Sequence, residues 1–539
     1  MAQNAIFGIN SNLDTGGIID NLITLQRQPI DIVEAKRALE DAKLLSFKDL
    51  KDRLQSFKSV VNTLNTESRF LTTTGVFSNN NSTDTNDVAS LTTTSAATSG
   101  TFSLVVNNLA RETKLLSSGY ADTSSEIDYG TIFITVGSTV TNITIDSGNN
   151  TLDGIRLAIN NSGANARASF INDGSSTNPV KLVISGTQTG ADNAVSISAS
   201  KTLFGFGQVS PISFTETQAA QNASFVLDGV AVTKASNTVT DVIGGTTLTL
   251  ESAGSGLITL SPDEEAIKEK VQNYVDGYNE LNLHLNSELA LTESTGETGV
   301  LFANFTVQNL QQQLRETVTG QVVGIDGKFS FLSQVGLRTQ SDGTLSIDDG
   351  VLSTAITSDI GNVTQLFSSS GKTSSSAVTF VGFTDNTEPG GYKLRVSGGV
   401  VQLAASGSST FVDAVGNGNF YAGAPGTDAE GLNFRIGNLA DGDYGTLTLA
   451  IGAAQITNRI LARLTDASLD GPLEAEIDSA TETITDFDET IADLEERLVL
   501  FENSIRNRFT NLEVVLGRLN SQKAAFESSI DGIKSLFSG

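Results

Sequence analysis

The sequence predicts a multidomain α+β protein: long terminal helices forming a coiled-coil/helical-bundle stalk, with inserted β-rich head domains. Three observations carry that prediction. Near the start, apolar residues fall at Phe47, Leu50, Leu54, Phe57, Val61, Leu64 and Leu71. Near the end they fall at Ile484, Phe487, Ile491, Leu494, Leu498, Phe501, Ile505, Phe509, Leu512, Leu516 and Leu519. Both series step mostly by three and four residues, which keeps one stripe on one helix face. Between them lies a long stretch rich in Thr, Ser, Gly and Asn, with the alternation of β-strands. A chain that leaves a helical stalk, builds β domains and returns to the stalk is organised for assembly.

Taken in order, residues 1–44 form a terminal segment and coil. Turn residues open it, with Asn10-Ser11-Asn12 and Asp14-Thr15-Gly16-Gly17 ahead of a short apolar helix at Ile18, Ile19, Leu22, Ile23 and Leu25. Pro29 should end or kink that helix, because proline lacks the N–H of the helical ladder. From Asp31 to about Thr72 one long helix follows without Gly or Pro; residues 45–75 are its bundle part. At Thr72–Ser99 the composition turns to Thr, Ser and Asn, which marks a boundary. Residues 76–117 and 219–260 read as two segments of one β-rich domain. Ser224–Gly229 and Thr246–Leu250 should pair with the strand near residue 102. An α+β head, 118–218, is inserted between those segments. It has strand patterns at 131–136 and 142–145, a helix capped by Thr151, and a hairpin of Ala166–Asn172 with Val180–Ser185.

Residues 261–368 return to stalk helices with a β excursion. Ser261, Pro262 and Glu264 form a helix start with a capping box, and that helix should reach about Leu291. A second helix spans about 300–318. Phe329–Ile347 is strand-like around the turn Ser341-Asp342-Gly343, and short helical pieces reach Phe367. Residues 369–453 are a second inserted β-rich domain. Residues 454–495 are stalk helices, interrupted at Gly471-Pro472, and 496–539 are a C-terminal coil. Its seam from Leu498 to Phe509 steps three, four, four, a stutter that unwinds a left-handed supercoil. Charge is also uneven. Glu474 to Glu496 holds ten acidic residues and no basic one, while Arg27 to Lys58 holds eight basic and six acidic. Complementary flanks of this kind can bring the end helices together.

Composition excludes several functions. A formal net charge of −28 over 539 residues argues against nucleic acid and against a polybasic membrane contact. Cysteine is absent, so disulfides, thiolate nucleophiles and thiolate metal sites are impossible. The single histidine, His284, reads as a solvated or half-buried helix residue, and its solitude removes most acid–base and triad schemes. The N-terminus lacks the pattern of a cleaved secretory signal. No stretch approaches the roughly 18 apolar residues of a membrane span, so no membrane insertion is expected. Phe204-Gly205-Phe206-Gly207 and the scattered Gly pairs lack the Gly-Lys-Ser/Thr ending of a phosphate loop. Asp348-Asp349 and Asp263-Glu264-Glu265 lack calcium-loop spacing and read as helix-start acids. No catalytic residues, cofactor or metal are therefore expected, and the chain is not expected to be an enzyme.

The middle helices should pack within the chain: Phe47–Leu71 with Ile267–Leu285 and Ile456–Ile491. The outermost seams have only each other to cover them, and exposed apolar stripes at both ends await a partner.

Gly8-Ile-Asn-Ser-Asn-Leu-Asp14-Thr-Gly, Leu22 through Pro29-Ile30, Thr151-Leu-Asp-Gly-Ile155, Phe170-Ile-Asn-Asp-Gly174 and Phe225-Val-Leu-Asp-Gly229 with Asn237-Thr-Val follow one another in this order. Tyr278-Asn279-Glu-Leu281, Val335-Gly336-Leu337 with Asp342-Gly343-Thr-Leu345, and Leu519-Asn520-Ser521-Gln522 continue the series. Together they resemble the flagellar filament-capping family, the flagellar hook-associated protein 2 or FliD family, over most of the chain. Gln26-Arg27 stands where that family usually has an acidic residue before Arg, and the island at 369–453 is larger than in its common form.

The resemblance implies a secreted, extracellular cap at the tip of a bacterial flagellum, exported by the flagellar type III pathway without signal cleavage. It implies a ring-like homo-oligomer that promotes folding and insertion of exported flagellin and prevents its loss. Flagellin, hook–filament junction proteins and an export chaperone are the implied partners, with no nucleic acid among them. On this reading the head domains form a plate and the terminal coils form legs. Leu50, Leu54, Phe57, Val61 and Leu64 should then pack with Ile484, Ile491, Leu494 and Leu498 inside the leg. Leu22, Leu25, Phe501, Ile505, Phe509, Leu512, Leu516 and Leu519 should contact neighbouring subunits or flagellin. The alternative is an extracellular adhesin that binds host or matrix glycans through its β domains; zero Trp and seven Tyr weigh against it. Flagellin itself is a closer architectural rival, but it polymerises into long filaments rather than a closed ring.

Overall fold

The computed structural model describes residues 14–80, 87–201, 212–292, 296–325, 327–437, 439–466 and 471–537. The motif residues 8–13 and Phe204–Gly207 lie outside the described residues. In chain order the helices are α1 (Thr15–Val61), α2 (Glu67–Phe70), α3 (Leu152–Asn161), α4 (Glu264–Glu288), α5 (Phe305–Thr319), α6 (Asp349–Phe367), α7 (Ala453–Thr465) and α8 (Pro472–Phe537). The chain divides into two compact units, one of Met1–Thr66 with Lys270–Gly539 and one of Glu67–Glu269.

The unit Glu67–Glu269 is β-rich with two cores. In the first, a five-stranded antiparallel sheet runs in the order Thr73–Asn79, Gly254–Pro262, Gly100–Asn108, Ala223–Leu227, Val230–Lys234. A three-stranded sheet orders Thr238–Val239, Thr246–Leu250, Ala89–Thr93. Leu104, Phe225, Leu248 and Ile258, all fully buried, fill the core. Ala223–Leu227 thus pairs with the strand near residue 102 as expected. Thr246–Leu250 does not: it pairs with Ala89–Thr93, and Gly254–Pro262 takes the place beside Gly100–Asn108.

In the second core α3 packs with a four-stranded and a three-stranded sheet around Ile134, Leu152, Ile155, Ile159, Leu182 and Ile184. Thr151 caps α3, its Oγ1 accepting from Gly154 N at 3.0 Å, and Ala166–Asn172 pairs with Val180–Gly186 as the expected hairpin. The helix start read at Ser261 is corrected. Ser261 and Pro262 are paired strand residues opposite Thr74 and Thr73. The cap falls to Asp263, whose carboxylate accepts from Ala266 N at 3.0 Å, and α4 begins at Glu264. A strand partner on one side satisfied Ser261 before a helix could claim it.

The other unit is a helical bundle with a β insertion. Helix α1 runs unbroken from Thr15 to Val61 through Pro29. The proline faces solvent, so it forfeits one ladder bond while packing on the opposite face holds the helix together. The helix also stops at Val61, earlier than Thr72. Phe57 packs on Tyr274 of α4 with ring centroids 5.6 Å apart, and Tyr274 meets Phe367 of α6 edge-on at 6.0 Å. The Tyr274 hydroxyl pairs with Thr457 Oγ1 of α7 at 3.1 Å, which satisfies a fully buried polar group. Burial pushes the Tyr274 phenol well above its ordinary pKa of 10, so it stays a neutral member of the core. The second bundle helix starts later than read, at Phe305, because Asn304 caps it and Ala303 sits at φ 63. Helix α6 breaks at Asp359, φ −160 and ψ 74, whose carboxylate caps the second piece through Asn362 N at 2.9 Å.

Between α6 and α7, residues 369–451 form a two-sheet β insertion. Its core includes Tyr392, Leu394, Leu403, Phe434 and Leu449. Arg459 of α7 ties it to the bundle. Its Nη1 and Nη2 donate to the carbonyls of Thr387 (3.2 Å) and Thr384 (2.9 Å), and its guanidinium lies 5.2 Å from the Phe383 ring.

Candidate assembly interface

The terminal helices α1 and α8 lie antiparallel. Lys51 Nζ meets Glu474 at 2.6 Å, and fourteen residues back along α1, Arg37 pairs with Asp488, fourteen residues on along α8. These pairs join the basic part of α1 to the acidic start of α8, the complementarity the charge distribution suggests. The same register places buried Ile30 level with Leu494–Leu498 and buried Ile19 level with Ile505–Phe509.

Leu50, Leu54, Phe57, Val61 and Leu64 are all buried, but deeper in the bundle than expected, toward α4 and α7. Ile484 is buried; Ile491, Leu494 and Leu498 are half-buried and level with residues 27–34 of α1. The expected packing of Leu50–Leu64 against Ile491–Leu498 is therefore corrected: the antiparallel register sets them apart along the pair. Phe501, Ile505, Phe509 and Leu516 are half-buried, Leu22 is half-buried, and Leu25, Leu512 and Leu519 are exposed.

Two exposed seams stand out. On the outer face of α1, Ile18 (41% exposed), Leu25 (60%), Ile32 (57%) and Leu39 (58%) recur every seven residues. Leu22 and Pro29 fall between them at the intervening steps of four and three. On α8, apolar residues recur every seven from Ile484 through Ile491, Leu498, Ile505, Leu512, Leu519 and Phe526 to Ile533. The last four are 42, 53, 68 and 55% exposed. Ile32, Leu39, Phe526 and Ile533 escaped the sequence reading, and Ile18 was read only as part of a short apolar helix, although the strict heptad was there to find them. Seams of this spacing accept another helix by knobs-into-holes packing.

His284 on α4 is half-buried, as one of the two expected settings had it, with a side chain 12% exposed. Among the described residues its Nε2 has no hydrogen-bond partner, and it lies 3.6 Å from Asp49 Oδ2 of α1. Burial, reinforced by Arg53, holds the imidazole below its ordinary pKa of 6.5 despite Glu288, Asp49 and Glu280. The fold thus favours the neutral ring. As pH falls through 6.5 the unfolded chain takes up the proton first, so stability is full above 6.5, declines toward the folded-state pKa, and levels off below it. The urea midpoint is expected to fall between pH 7.5 and pH 5.5, a window in which this lone histidine is the only side chain of ordinary pKa to titrate. His284→Asn should flatten that slope; an unchanged slope would place the dependence elsewhere.

Among the described residues no cluster of three or more potential ligands is placed to hold a metal, and no helix is long and apolar enough to cross a membrane. Two paired terminal helices with exposed apolar seams, in a chain that also carries β-rich domains, define the class as a helical-stalk α+β protein. The chain belongs to the flagellar hook-associated protein 2 family: the family's C-terminal pattern matches residues 220–521 and its N-terminal pattern residues 11–113. This is a family of structural flagellar proteins and not of enzymes.

The chain is similar to the B-type flagellar hook-associated protein 2 of Pseudomonas aeruginosa PAO1, 30% identical over 353 residues that cover 60% of this chain and 72% of the relative. The flagellar hook-associated protein 2 of Escherichia coli K12 is 28% identical over 393 residues, 69% of this chain and 82% of that one. Among solved structures, the D1-D2-D3 domains of the flagellar cap protein FliD from Escherichia coli share the fold at a TM-score of 0.52. That match has 22% identity and covers 81% of this chain and 99% of that one.

Proposed function

We propose that this chain caps the distal end of a bacterial flagellar filament, where it promotes folding and insertion of exported flagellin and prevents its loss. It acts there as a secreted protein, exported through the flagellum, and as a closed homo-oligomeric ring. Before filament growth it rests on the hook–filament junction proteins, and an export chaperone keeps it soluble beforehand. In the leg, Leu50, Leu54, Phe57, Val61, Leu64 and Ile484 hold the helices together, with Ile491, Leu494 and Leu498 extending the seam toward Ile30. Leu22, Leu25, Phe501, Ile505, Phe509, Leu512, Leu516 and Leu519 supply contacts to neighbouring copies or flagellin, together with Ile18, Ile32 and Leu39.

The observation that carries this reading is the pair of exposed heptad seams in a chain of this family. Such seams suit repeated docking. Each contact is a few half-exposed aliphatic side chains, worth about 1–2 kcal/mol apiece, so many can form and release in turn. Introduced into a strain that lacks its own cap, the full chain is expected to restore motility. The chain without residues 1–40 should keep its β-rich unit, read by its thermal transition, yet leave cells non-motile and shedding unpolymerised flagellin. Normal filaments from the truncated chain would end the assignment of the contacts to the terminal helices.

A further inference from the structure

Where the β insertion meets the bundle, two of its strands turn a polar face toward α6. Ser369–Thr373 pairs with Gly442–Ile451, Ser370 lying opposite Ala450 and Lys372 opposite Thr448. Leu447 and Leu449 belong to the insertion core, so strand alternation turns Thr448 and Lys372 the other way, and Ser370 shares their face. The break in α6 at Asp359 and the chain at Gly324 and Gly327 close the other side of a cleft of about 170 Å³. A Cβ on Gly324, at φ 85, would overlap the Leu449 carbonyl, and one on Gly327 would overlap the Asn362 carboxamide. That carboxamide is itself pinned, accepting from Phe329 N at 2.6 Å and donating to the Phe329 carbonyl at 3.1 Å. The walls are therefore fixed, and glycine lets them stand this close.

Among the described residues, only polar side chains and glycines line this cleft, whereas most ligand pockets are largely apolar. Several of its polar groups are uncommitted. Gln365 of α6 is 6% exposed, yet its amide makes no hydrogen bond to the described chain. Ser370 Oγ is buried without a partner. Asp359 gives Oδ1 to Asn362 N at 2.9 Å and, among the described residues, leaves Oδ2 unengaged. Lys372 and Asp359 bring opposite charges to the same cleft without pairing with each other or with another described side chain. An enclosed amide and hydroxyl without partners cost stability. Two unpaired opposite charges beside them add a demand that water alone meets poorly, namely for a molecule carrying both signs.

We propose that this cleft binds a small zwitterion, a free α-amino acid with a short uncharged side chain. Its carboxylate accepts from the Lys372 ammonium, the Gln365 amide and the Ser370 hydroxyl, and its ammonium donates to Asp359 Oδ2. Size sets the class: at about 30 Å³ per liquid water the cleft holds roughly five or six, which suits a molecule such as serine and leaves little room for a peptide. The bound molecule bridges α6 to the strands of the β insertion, so it tightens the insertion on the bundle. The site is independent of the capping function proposed above.

Equilibrium dialysis of the full chain against radiolabelled L-serine, glycine, acetate and methylammonium tests this. L-Serine and glycine should bind saturably and raise the melting temperature, while acetate and methylammonium, each carrying one of the two charges, should bind at least about tenfold more weakly. Lys372→Gln and Asp359→Asn change exposed residues, and the asparagine can still cap Asn362 N, so both variants should keep the wild-type circular dichroism. Each should weaken L-serine binding about tenfold or more, and Ser370→Ala should weaken it less. Absence of saturable binding by every probe would mean that the cleft holds water only, and would overturn the proposal. Acetate binding as tightly as L-serine, or Asp359→Asn leaving L-serine binding unchanged, would make it a simple anion site and overturn it equally. Motility is no part of these measurements, so their failure leaves the capping role standing.

Discussion

Replacing Phe57 by alanine is expected to destabilise the helical bundle by about 3–5 kcal/mol, the range for emptying a buried aromatic site. Phe57 is 3% exposed, and its ring rests against Tyr274 and over Gly277 of α4. A Cβ built on Gly277 would come within 2.7 Å of Phe57 Cδ2, so the glycine makes room for the ring. Glycine inside a helix costs about 0.5–1 kcal/mol against alanine, a penalty that only the close helix approach justifies. With no side chain at 277 to swing into the vacated space, Phe57→Ala leaves a cavity that cannot collapse cheaply.

Gly277→Ala alone should cost about 1–3 kcal/mol by overpacking. The double variant should cost less than the sum, because the new methyl partly fills the hole. Urea unfolding followed by tyrosine fluorescence reports on this region, since the chain has no Trp and Tyr274 and Tyr278 lie in the bundle. A loss under about 1 kcal/mol for Phe57→Ala would mean that α1 and α4 close up freely, and additivity in the double variant would mean that the two residues do not share one space.

The helices of this fold are legible because burial repeats at the helical period. Phe47, Leu50, Leu54, Phe57 and Val61 announce a buried face before any partner is known, and all five are buried. Where local rules misled, a longer-range contact outweighed them. Pro29 argues for a break, but Ile30 beside it is buried, and that packing carries the helix across one missing bond. Ser261-Pro262-Asp263-Glu264 has the chemistry of a helix start at two positions; pairing of Ser261 with Thr74 decides between them. Thr246–Leu250 and Gly254–Pro262 show the same limit in strands. Both alternate suitably, and only the fold selects which lies beside Gly100–Asn108.

The pairing of the terminal helices was legible in part, for a related reason. A seam read from sequence names a face and not the surface that covers it. Leu50 and Ile491 both belong to real seams, yet ion pairs between residues 51 and 474 and between 37 and 488 set a register in which they lie far apart along the pair. Charge composition foretold that α1 and α8 attract, but many registers satisfy a block of acids facing a block of bases. Ile32 and Leu39 were missed, and Ile18 was not assigned to a seam, because α1 has two apolar faces at once. Its inner face, through Ile19 and Ile30, is taken by α8, and only that occupation reveals the outer one as free.

The outer face of α1 gives the second large effect. Leu25→Asp combined with Ile32→Asp should leave the fold of the free chain nearly untouched while abolishing assembly. The two side chains are 60 and 57% exposed, and surface changes of this kind usually stay within about 0.5 kcal/mol each. In an assembled seam the same side chains lose their remaining contact with water. Completing their burial contributes roughly 1–1.5 kcal/mol each, about half the value for burying a whole aliphatic side chain. A carboxylate in that place adds a desolvation cost of about 1–3 kcal/mol on even the mild scales. Together these exceed about 4 kcal/mol per contact, a weakening of about a thousandfold. Light scattering after size exclusion should therefore show the wild-type chain associating with concentration and the double variant monomeric, with superimposable circular dichroism, and cells carrying the variant should not swim. Conservative Leu25→Met and Ile32→Val changes should preserve both properties, since they keep the seam apolar. An aspartate variant that still assembles and still supports motility would show that the outer heptad of α1 faces water in the working cap, and the contacts would have to be sought on α8 between Leu512 and Ile533.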